Sequence, residues 1–380
     1  MTEDWYFWSH RLPVARAARD AGFEIVVATR VRKHGERIAA EGFALRPIAW
    51  RRRGDGLLGG VRAIAAIARL YRAERPDLLH HVALKPVLFG ALAVRLSFPR
   101  NRTAPARVAA IMGLGSGFCA TASRPRPRQR LLGWTLRWAT AAGWVVVQNP
   151  EDRAALVRLG VAPARVALIR GSGIDTTRFL PLPEPEGAGE RSGVAVALVS
   201  RMLRSKGVLD AAEAVRRVRA DGLSVTLLLA GPPDPDNPDS LDEAELRALA
   251  AEPGIEWLGR VEDVRAVWRR AVIALLPSTY GEGVPMALLE AAACGRPIIA
   301  SDMPGCREAV RPGKNGLLVP PGDVAALAAA IAGLARDPQR RRAMGAAGRS
   351  LVERVFTEDI VMGQTLAVYR AALDRAAALP

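Results

Sequence analysis

Two carboxylates eight positions apart, Glu282 and Glu290, have the residue type and spacing to bind a ligand rich in hydroxyl groups. They lie in the segment STYGEGVPMALLE, residues 278–290, between an apolar run and a helix-forming stretch. A carboxylate accepts hydrogen bonds from vicinal hydroxyls. We therefore predict that Glu290 holds a ribose diol and that Glu282 holds the hydroxyls of a second sugar. Such a pair also occurs on ordinary solvated helices.

The same segment predicts a helix N-terminus directly after a glycine-flanked loop. Pro285 suits the first helical position, and Gly295 suits the end of the helix. The first amides of a helix lack intrahelical acceptors and lie at the positive end of its dipole, so they favour a bound phosphate. The amides predicted to bind a diphosphate are those of Gly283, Val284 and Met286.

Two cations in the segment SRMLRSKG, residues 200–207, follow another apolar run. A nucleoside diphosphate gains negative charge as its bond to a sugar breaks, and fixed cations aimed at that charge lower the barrier. Arg201 and Lys206 are therefore predicted to act at the diphosphate in place of a metal ion. A solvated helix start is the alternative interpretation of this segment alone.

The sequence contains one pattern that could bind Mg²⁺, the D-x-D formed by Asp234 and Asp236. Its proline-rich surroundings favour a surface turn instead. The three cysteines, Cys119, Cys294 and Cys306, are far apart and lack metal-ligand spacing. We therefore expect no metal, no cofactor and no disulfide framework.

Short β-branched runs alternate with alanine-rich stretches along most of the 380 residues, which is typical of parallel sheets covered by helices. We predict an α/β protein with two doubly wound, Rossmann-like domains facing a cleft, and such sheets bind ligands at the carboxyl ends of strands. The predicted parts are an N-terminal domain (1–170), a linker (171–193), a C-terminal domain (194–358) and a last helix (359–380) that packs back on the N-terminal domain.

The chain opens on a predicted loop and helix with no strand before them. A parallel α/β domain normally begins with a central strand. We therefore expect the first strand of the N-terminal domain to be missing, through either a late start or a truncation.

The charge of the chain is divided unequally between its halves. Residues 1–170 carry 29 Lys and Arg against 11 Asp and Glu, which leaves 25 against 27 for residues 171–380. No acidic residue lies between Asp77 and Glu151, whereas ten basic residues do. Such a surface attracts polyanions. An arginine-rich composition would explain the residue type but not the asymmetry.

The sequence resembles the retaining family 4 glycosyltransferases of the GT-B fold over nearly its whole length. The matching segments are SRMLRSKGV, EGVPMALLEAAACGRPIIASDMPGCREAV and GKNGLLVPPGD. The resemblance implies that Arg201 and Lys206 bind the diphosphate, that Glu282 contacts the donor sugar, and that Glu290 binds the ribose. It also implies that Arg260 and Val261 lie near the base, and that no covalent nucleophile is needed.

The first half is similar to a narrower group, bacterial N-acetylhexosaminyltransferases that extend oligosaccharides on polyprenyl diphosphate. The segments HHVALKP (80–86) and GLGSGF (113–118) carry this similarity. It implies transfer of a hexose or N-acetylhexosamine, from UDP-sugar, to a lipid-linked or anionic saccharide. Acceptor-binding candidates are His10, Arg11, His81 and Lys85, which are predicted to lie before a helix or at a strand end.

An arginine run, RPRPRQR (124–130), precedes Trp134 and Trp138, a pattern that suits an interfacial element on anionic lipid. No run of eighteen uncharged apolar residues occurs, and acids stand where a signal peptide would be basic. We therefore expect a cytoplasmic protein on the inner face of the membrane.

Two other classes of protein stay open at this point. A UDP-sugar epimerase of the GT-B fold would use the same donor cleft, but the first half offers no clear set of acids and bases. A nucleic-acid-binding protein would explain the charge, but we find no helix-turn-helix, zinc-finger or aromatic RNA-binding signature.

Overall fold

The computed structural model describes residues 1–49, 56–98, 104–113, 127–185, 193–281 and 283–378. The chain divides into two compact units. Unit 1 comprises Met1–Gly173 together with Glu358–Pro380, and unit 2 comprises Ile174–Thr357. The last helix therefore belongs to the same unit as the N-terminal residues.

Unit 1 consists of parallel strands and the helices that connect them. Its strands are β1 (Val26–Thr29), β2 (Ala44–Pro47), β3 (Leu78–Val82), β4 (Ala106–Ile111), β5 (Trp144–Val147) and β6 (Val166–Leu168). Its helices are α1 (Asp4–His10), α2 (Leu12–Asp20), α3 (Gly35–Ala40), α4 (Gly56–Glu74), α5 (Leu84–Ser97), α6 (Pro127–Thr140), α7 (Pro150–Arg158) and α15 (Glu358–Ala377).

Helices cover both faces of the main sheet of unit 1, whose strand order is β3-β4-β5-β6. Alternate residues of β4 point to opposite faces, as in any strand. Val108 and Ala110 pack with residues of α2 and α15, whereas Ala109 packs with residues of α5 and α6. Helices α4, α5 and α6 therefore form one layer, and α2 and α15 form the other.

The first three residues of the chain lie beside β1 without forming a named strand. Met1–Glu3 run beside β1, where Glu3 pairs with Arg30 in parallel and the terminal ammonium of Met1 donates to the Ala28 carbonyl (2.9 Å). Strands β1 and β2 form a separate two-stranded sheet. Among the described residues, unit 1 thus has two sheets where the sequence predicted one.

The opening residues form helix α1, which we had predicted as a loop. Asp4 lies in its first turn and accepts the backbone N–H groups of Arg32, Lys33 and His34 at 2.7–2.8 Å. Phe7 is buried edge-to-face against Phe43. Tertiary contacts therefore stabilise a short aromatic helix that its propensity alone would not favour.

Unit 2 is a single parallel sheet of six strands with helices on both faces. Its strands are β7 (Val194–Val199), β8 (Val225–Ala230), β9 (Ile255–Trp257), β10 (Ile273–Leu276), β11 (Ile298–Ser301) and β12 (Gly316–Val319). Its helices are α8 (Val208–Ala220), α9 (Glu243–Ala250), α10 (Arg265–Arg270), α11 (Met286–Ala293), α12 (Pro304–Ala309), α13 (Val324–Ala335) and α14 (Pro338–Val355).

Residues 174–185 of the segment predicted as a linker pack on unit 2. Phe179 is buried in its core. Arg296 donates to the carbonyls of Leu182 and Pro183, and Arg341 forms a bidentate pair with Glu184 (3.0 and 3.1 Å). The proline-rich composition indicated a linker, but buried arginines stabilise this segment against the unit.

Among the described residues, no helix combines the length and the apolar character needed to cross a bilayer.

Candidate active site

The strand order of unit 2, β9-β8-β7-β10-β11-β12, places its topological switch point between β7 and β10. The chain leaves β7 in one direction along the sheet and returns at β10 in the other, so the loops at the carboxyl ends of these two strands diverge and leave a crevice. Arg201 and Lys206 lie in the loop after β7, and Gly283 lies in the loop after β10. The predicted diphosphate site therefore lies at the switch point.

The loops after β7 and β10 are bonded directly to each other. The Ser205 carbonyl accepts the backbone N–H of Thr279 (2.9 Å) and the hydroxyl of Ser278 (3.0 Å). Gly207 is left-handed (φ +74°), and a Cβ there would lie 2.1 Å from the Pro277 carbonyl oxygen. Only glycine fits this contact, which brings Lys206 beside the β10 loop.

The Asp-Pro-rich turn after β8 supports the loop that carries the two cations. Asp234 forms an ion pair with Arg201, and Asp239 accepts the backbone N–H of Ser205 (3.1 Å) and also its hydroxyl. The Arg204 backbone N–H donates to the Asp239 carbonyl (2.9 Å). These carboxylates hold the β7 loop in place, and the described residues contain no group of three or more metal-ligating side chains.

Helix α11 begins at Met286, one residue later than predicted, with Pro285 as its extended N-cap residue. No side chain of the described residues caps this helix end. Val284 is buried in the core of unit 2, which fixes the chain as it enters the helix. Gly283 is partly exposed, and Glu282 lies outside the described residues.

Glu290 lies in the second turn of α11 and is partly exposed. Burial raises the pKa of its carboxyl to about 7, an effect that the nearby Arg178 guanidinium opposes and Asp263 reinforces. No cation of the described residues forms an ion pair with Glu290, and a buried carboxyl group without such a partner favours a binding role over a structural one.

The loop after β9 is connected to the end of β8. The Gly231 backbone N–H donates to the Gly259 carbonyl (2.7 Å), and the Trp257 indole N–H donates to the Gly231 carbonyl (3.0 Å). Arg260 is exposed and Val261 is partly buried. The predicted base-contacting loop therefore lies at the same edge of the sheet as the phosphate candidates.

His81 does not lie where an acceptor could reach it, contrary to our prediction. It is buried in β3, and its Nε2 is bonded to the Tyr71 hydroxyl of α4 (2.7 Å). Burial lowers the pKa of His81 to about 3, so the ring is neutral. The ring packs so closely on α5 that a Cβ at Gly90 would lie 2.3 Å from Nε2.

His80 points to the opposite face of β3, because alternate residues of a strand face opposite sides. It borders a small cavity in unit 1 together with two of the predicted acceptor residues, His10 of α1 and Arg11 of the α1–α2 junction. His10 stacks on Tyr6 with ring centroids 4.4 Å apart. The period-2 pattern of a strand places His80 and His81 on opposite faces of β3. It does not show which of these faces borders the cavity.

Lys85 lies in the first turn of α5, and its ammonium is 5.4 Å from the centre of the Phe89 ring. It does not border the cavity that contains His10, Arg11 and His80. The structure therefore brings together two of the four predicted acceptor residues, His10 and Arg11.

Comparison with known proteins gives matches for both units. Residues 193–337 match the family described as glycosyl transferases group 1, and residues 1–139 match the family described as glycosyl transferase 4-like. The alpha-maltose-1-phosphate synthase of Mycolicibacterium smegmatis is 35% identical over 257 residues, covering 62% of this chain and 65% of that protein. The D-inositol 3-phosphate glycosyltransferase of Kribbella flavida is 31% identical over 269 residues, covering 67% and 62%.

The chain thus spans less than two thirds of the length of these two relatives. Among solved structures, Anabaena Alr3699/HepE in complex with UDP has a TM-score of 0.75 at 17% identity, covering 97% of this chain and 98% of that one. At this identity the likeness concerns the fold. The matches and the fold together show that this chain carries the two domains of a glycosyltransferase of the GT-B fold.

Proposed function

We propose that this protein is a retaining glycosyltransferase that moves a hexose or N-acetylhexosamine from a UDP-sugar to a lipid-linked saccharide in surface-polysaccharide or glycan assembly. The observation that carries the proposal is the pair of bonded loops at the switch point of unit 2. Their bonds join Ser205, the residue before Lys206, to the chain that leads towards α11, and Arg201 lies in the same β7 loop. A structural neighbour that binds UDP supports the choice of donor.

In this proposal the charge of the leaving group is stabilised by the protein itself. As the bond between the anomeric carbon and the β-phosphate oxygen breaks, both electrons stay with the diphosphate. Lys206, Arg201 and the first amides of α11 stabilise that charge without reorganising, because the bonded loops already hold them in place. Glu290 accepts hydrogen bonds from the ribose hydroxyls, and Glu282, outside the described residues, is assigned to the donor sugar.

The acceptor hydroxyl attacks the same face of the sugar from which the diphosphate departs. Its proton passes to the departing phosphate oxygen, so that a new C–O bond forms with retention and UDP leaves protonated. This front-face route needs no carboxylate nucleophile, which agrees with the residues assigned above. It makes the positioning of the diphosphate the main contribution of unit 2.

The proposed partner on the acceptor side is an anionic membrane surface, and the outer face of the α4–α5–α6 layer supports this. Six of the ten large hydrophobic side chains that are exposed among the described residues belong to these three helices. They are Leu58 and Val61 of α4, Leu92 and Leu96 of α5, and Leu131 and Trp134 of α6.

The three helices lie side by side, so their outward side chains share one surface. Ser97 of α5 donates to the Ala68 carbonyl of α4 (2.9 Å), and the Arg95 guanidinium of α5 lies 5.6 Å from the ring centre of Trp138 in α6. The exposed charged side chains on these helices are arginines, among them Arg62, Arg95 and Arg137. Apolar side chains bordered by cations suit an interface with anionic lipid. Residues 124–126 of the arginine run lie outside the described residues.

The donor chemistry is tested by incubating the protein with labelled UDP-sugars and a polyprenyl-diphosphate saccharide. Incorporation of label into the lipid product supports the transferase, whereas interconversion of the UDP-sugar without transfer would indicate an epimerase. Lys206→Ala is expected to lose transfer. Arg204→Ala is the matched control, because Arg204 lies in the same loop but is not assigned to the diphosphate and forms an exposed ion pair with Glu245.

The membrane partner is tested separately by co-sedimentation with vesicles of phosphatidylglycerol and phosphatidylcholine. The double variant Leu131→Ser, Trp134→Ser is expected to stay in the supernatant, while transfer to a water-soluble acceptor is unchanged. Leu180→Ser is the control, since Leu180 is an equally exposed leucine in unit 2 (56%). Equal sedimentation of both variants would show that the outer face of the α4–α5–α6 layer does not bind the membrane.

A further inference from the structure

Unit 1 contains a small cavity, bordered by the predicted acceptor residues His10 and Arg11, to which the transfer steps described above assign no role. It lies at the carboxyl ends of the sheet β3-β4-β5-β6, below the α1–α2 junction and α15. Polar groups from separate elements border it, namely His10, Arg11, His80, Gln148, Ser172 and Thr365. Its interior has room for about one water-sized particle.

Arg11 brings a positive charge to this cavity without a carboxylate to balance it. The side chain is only 7% exposed, and one of its terminal nitrogens lies 2.5 Å from the Met112 sulfur. Its Nε is buried with no hydrogen-bond partner, and no acidic group of the described residues forms an ion pair with it. A buried charge without a counter-charge destabilises the folded chain, so a bound anion would stabilise this position.

His80 supplies a second donor at the same cavity. Its Nδ1 lies 2.6 Å from the Tyr369 hydroxyl of α15, while its Nε2 is buried without a partner. Burial, followed by the positive charge of Arg11, lowers the pKa of His80 well below its ordinary value, so the ring is neutral. When the Tyr369 hydroxyl donates to Nδ1, the single ring proton lies on Nε2 and is directed at the cavity.

The other polar groups at the cavity are largely occupied by the protein itself. The Gln148 amide donates to the Gly171 carbonyl (2.9 Å), and the Thr365 hydroxyl donates to the Val361 carbonyl (2.8 Å). The unsatisfied donors of the described residues at this position are therefore Arg11 Nε and, in this tautomer, His80 Nε2. Two residues that line one small cavity thus each hold a buried N–H without an acceptor, and one of them is charged, which suits a single anionic atom.

We propose that Arg11 and His80 bind one anionic atom in this cavity, either a halide ion or one oxygen of a phosphoryl group. The small volume excludes a whole sugar phosphate from the interior. The bound anion neutralises Arg11 and connects the α1–α2 junction to β3. The site lies in unit 1, whereas the donor residues belong to unit 2, so a failure of this proposal leaves the proposed donor chemistry standing.

The test is the melting temperature of the full chain at constant ionic strength in sodium gluconate, sodium chloride or sodium phosphate. An anion present at ten times its Kd raises the melting temperature by about 3 to 6 °C. A rise in chloride assigns a halide, and a rise only in phosphate assigns a phosphoryl oxygen. In Arg11→Met the melting temperature is expected to be the same in all three salts. The control is Arg62→Met, which changes an exposed arginine of α4 and should keep the anion-dependent rise in melting temperature.

Equal melting temperatures in all three salts, or the same rise in Arg11→Met, would overturn the proposal. If Arg11→Met does not fold, crystals of the wild-type protein soaked in bromide decide the halide case, and crystals grown in phosphate decide the phosphoryl case. An anomalous bromide peak or phosphate density between Arg11 and His80 Nε2 supports the site. An empty cavity in both crystals refutes it.

Discussion

Replacing Glu290 by glutamine is expected to stabilise unit 2 and to weaken nucleotide binding at the same time. The reason is that burial raises the pKa of this carboxyl from 4.5 to about 7. Below pH 4.5 the group is neutral in both the folded and the unfolded state. Above pH 7 it is ionised in both, and the poorly solvated charge then destabilises the folded state. Glutamine removes that charge and nearly conserves the shape.

The size of the effect follows from the difference in pKa between the two states. A change from 4.5 to about 7 corresponds to roughly 3 kcal/mol at pH 8. Because Glu290 is partly exposed, water screens its charge, and we expect about 1 to 2 kcal/mol. For a unit of this size, that raises the melting temperature by about 2 to 8 °C. At pH 5 about a quarter of the effect remains.

The assay is thermal unfolding at pH 8 and pH 5, with and without UDP. Glu290→Gln should melt above the wild type at pH 8, with a much smaller difference at pH 5, and it should gain less on addition of UDP. Glu262→Gln is the control, because Glu262 is an exposed carboxylate in a neighbouring loop. A lower melting temperature of Glu290→Gln at pH 8, or an unchanged response to UDP, would refute the reasoning.

Two further predictions concern the loops and the segment that enters unit 2. Gly207→Ala would place a Cβ 2.1 Å from the Pro277 carbonyl oxygen at a residue with left-handed backbone. Calorimetry should therefore show that UDP binds at least about tenfold more weakly. The control is Gly222→Ala, because Gly222 is also left-handed but a Cβ there would have nothing within 4 Å, and this variant should bind UDP as the wild type does. Arg341→Met leaves Glu184 without its bidentate partner. In urea unfolding, the free energy of unfolding of unit 2 should fall by about 3 to 5 kcal/mol. A decrease below about 1 kcal/mol would contradict this prediction.

The sequence predicts the α/β class and the position of the donor site because both depend on local patterns. Apolar runs followed by glycine-containing loops identify β7, β10 and the start of α11 to within one residue. The parallel order of these strands then brings Lys206 and Gly283 to one edge of a sheet. The contact of Gly207 with Pro277 explains in physical terms why a glycine stands there.

Other features depend on contacts that no local pattern contains. The Asp-Pro turn reads as a surface turn, but only the fold shows that Asp234 and Asp239 bond to the β7 loop. His81 was predicted to face the acceptor but is buried, because the period-2 pattern cannot tell which face of β3 lies under α4. Likewise, residues 174–185 have the composition of a linker, and the buried Arg341 that holds them is far away in the sequence.

Calorimetric titration of UDP into the wild type, Lys206→Ala and Arg204→Ala tests most directly whether the β7 loop binds the diphosphate. Loss of one charge-assisted hydrogen bond costs about 1.5 to 3 kcal/mol, so the Kd for Lys206→Ala should rise about 10- to 100-fold. Arg204→Ala should stay within twofold of the wild type, because Arg204 is not assigned to the diphosphate and forms an exposed ion pair with Glu245. Wild-type affinity in Lys206→Ala would contradict the account.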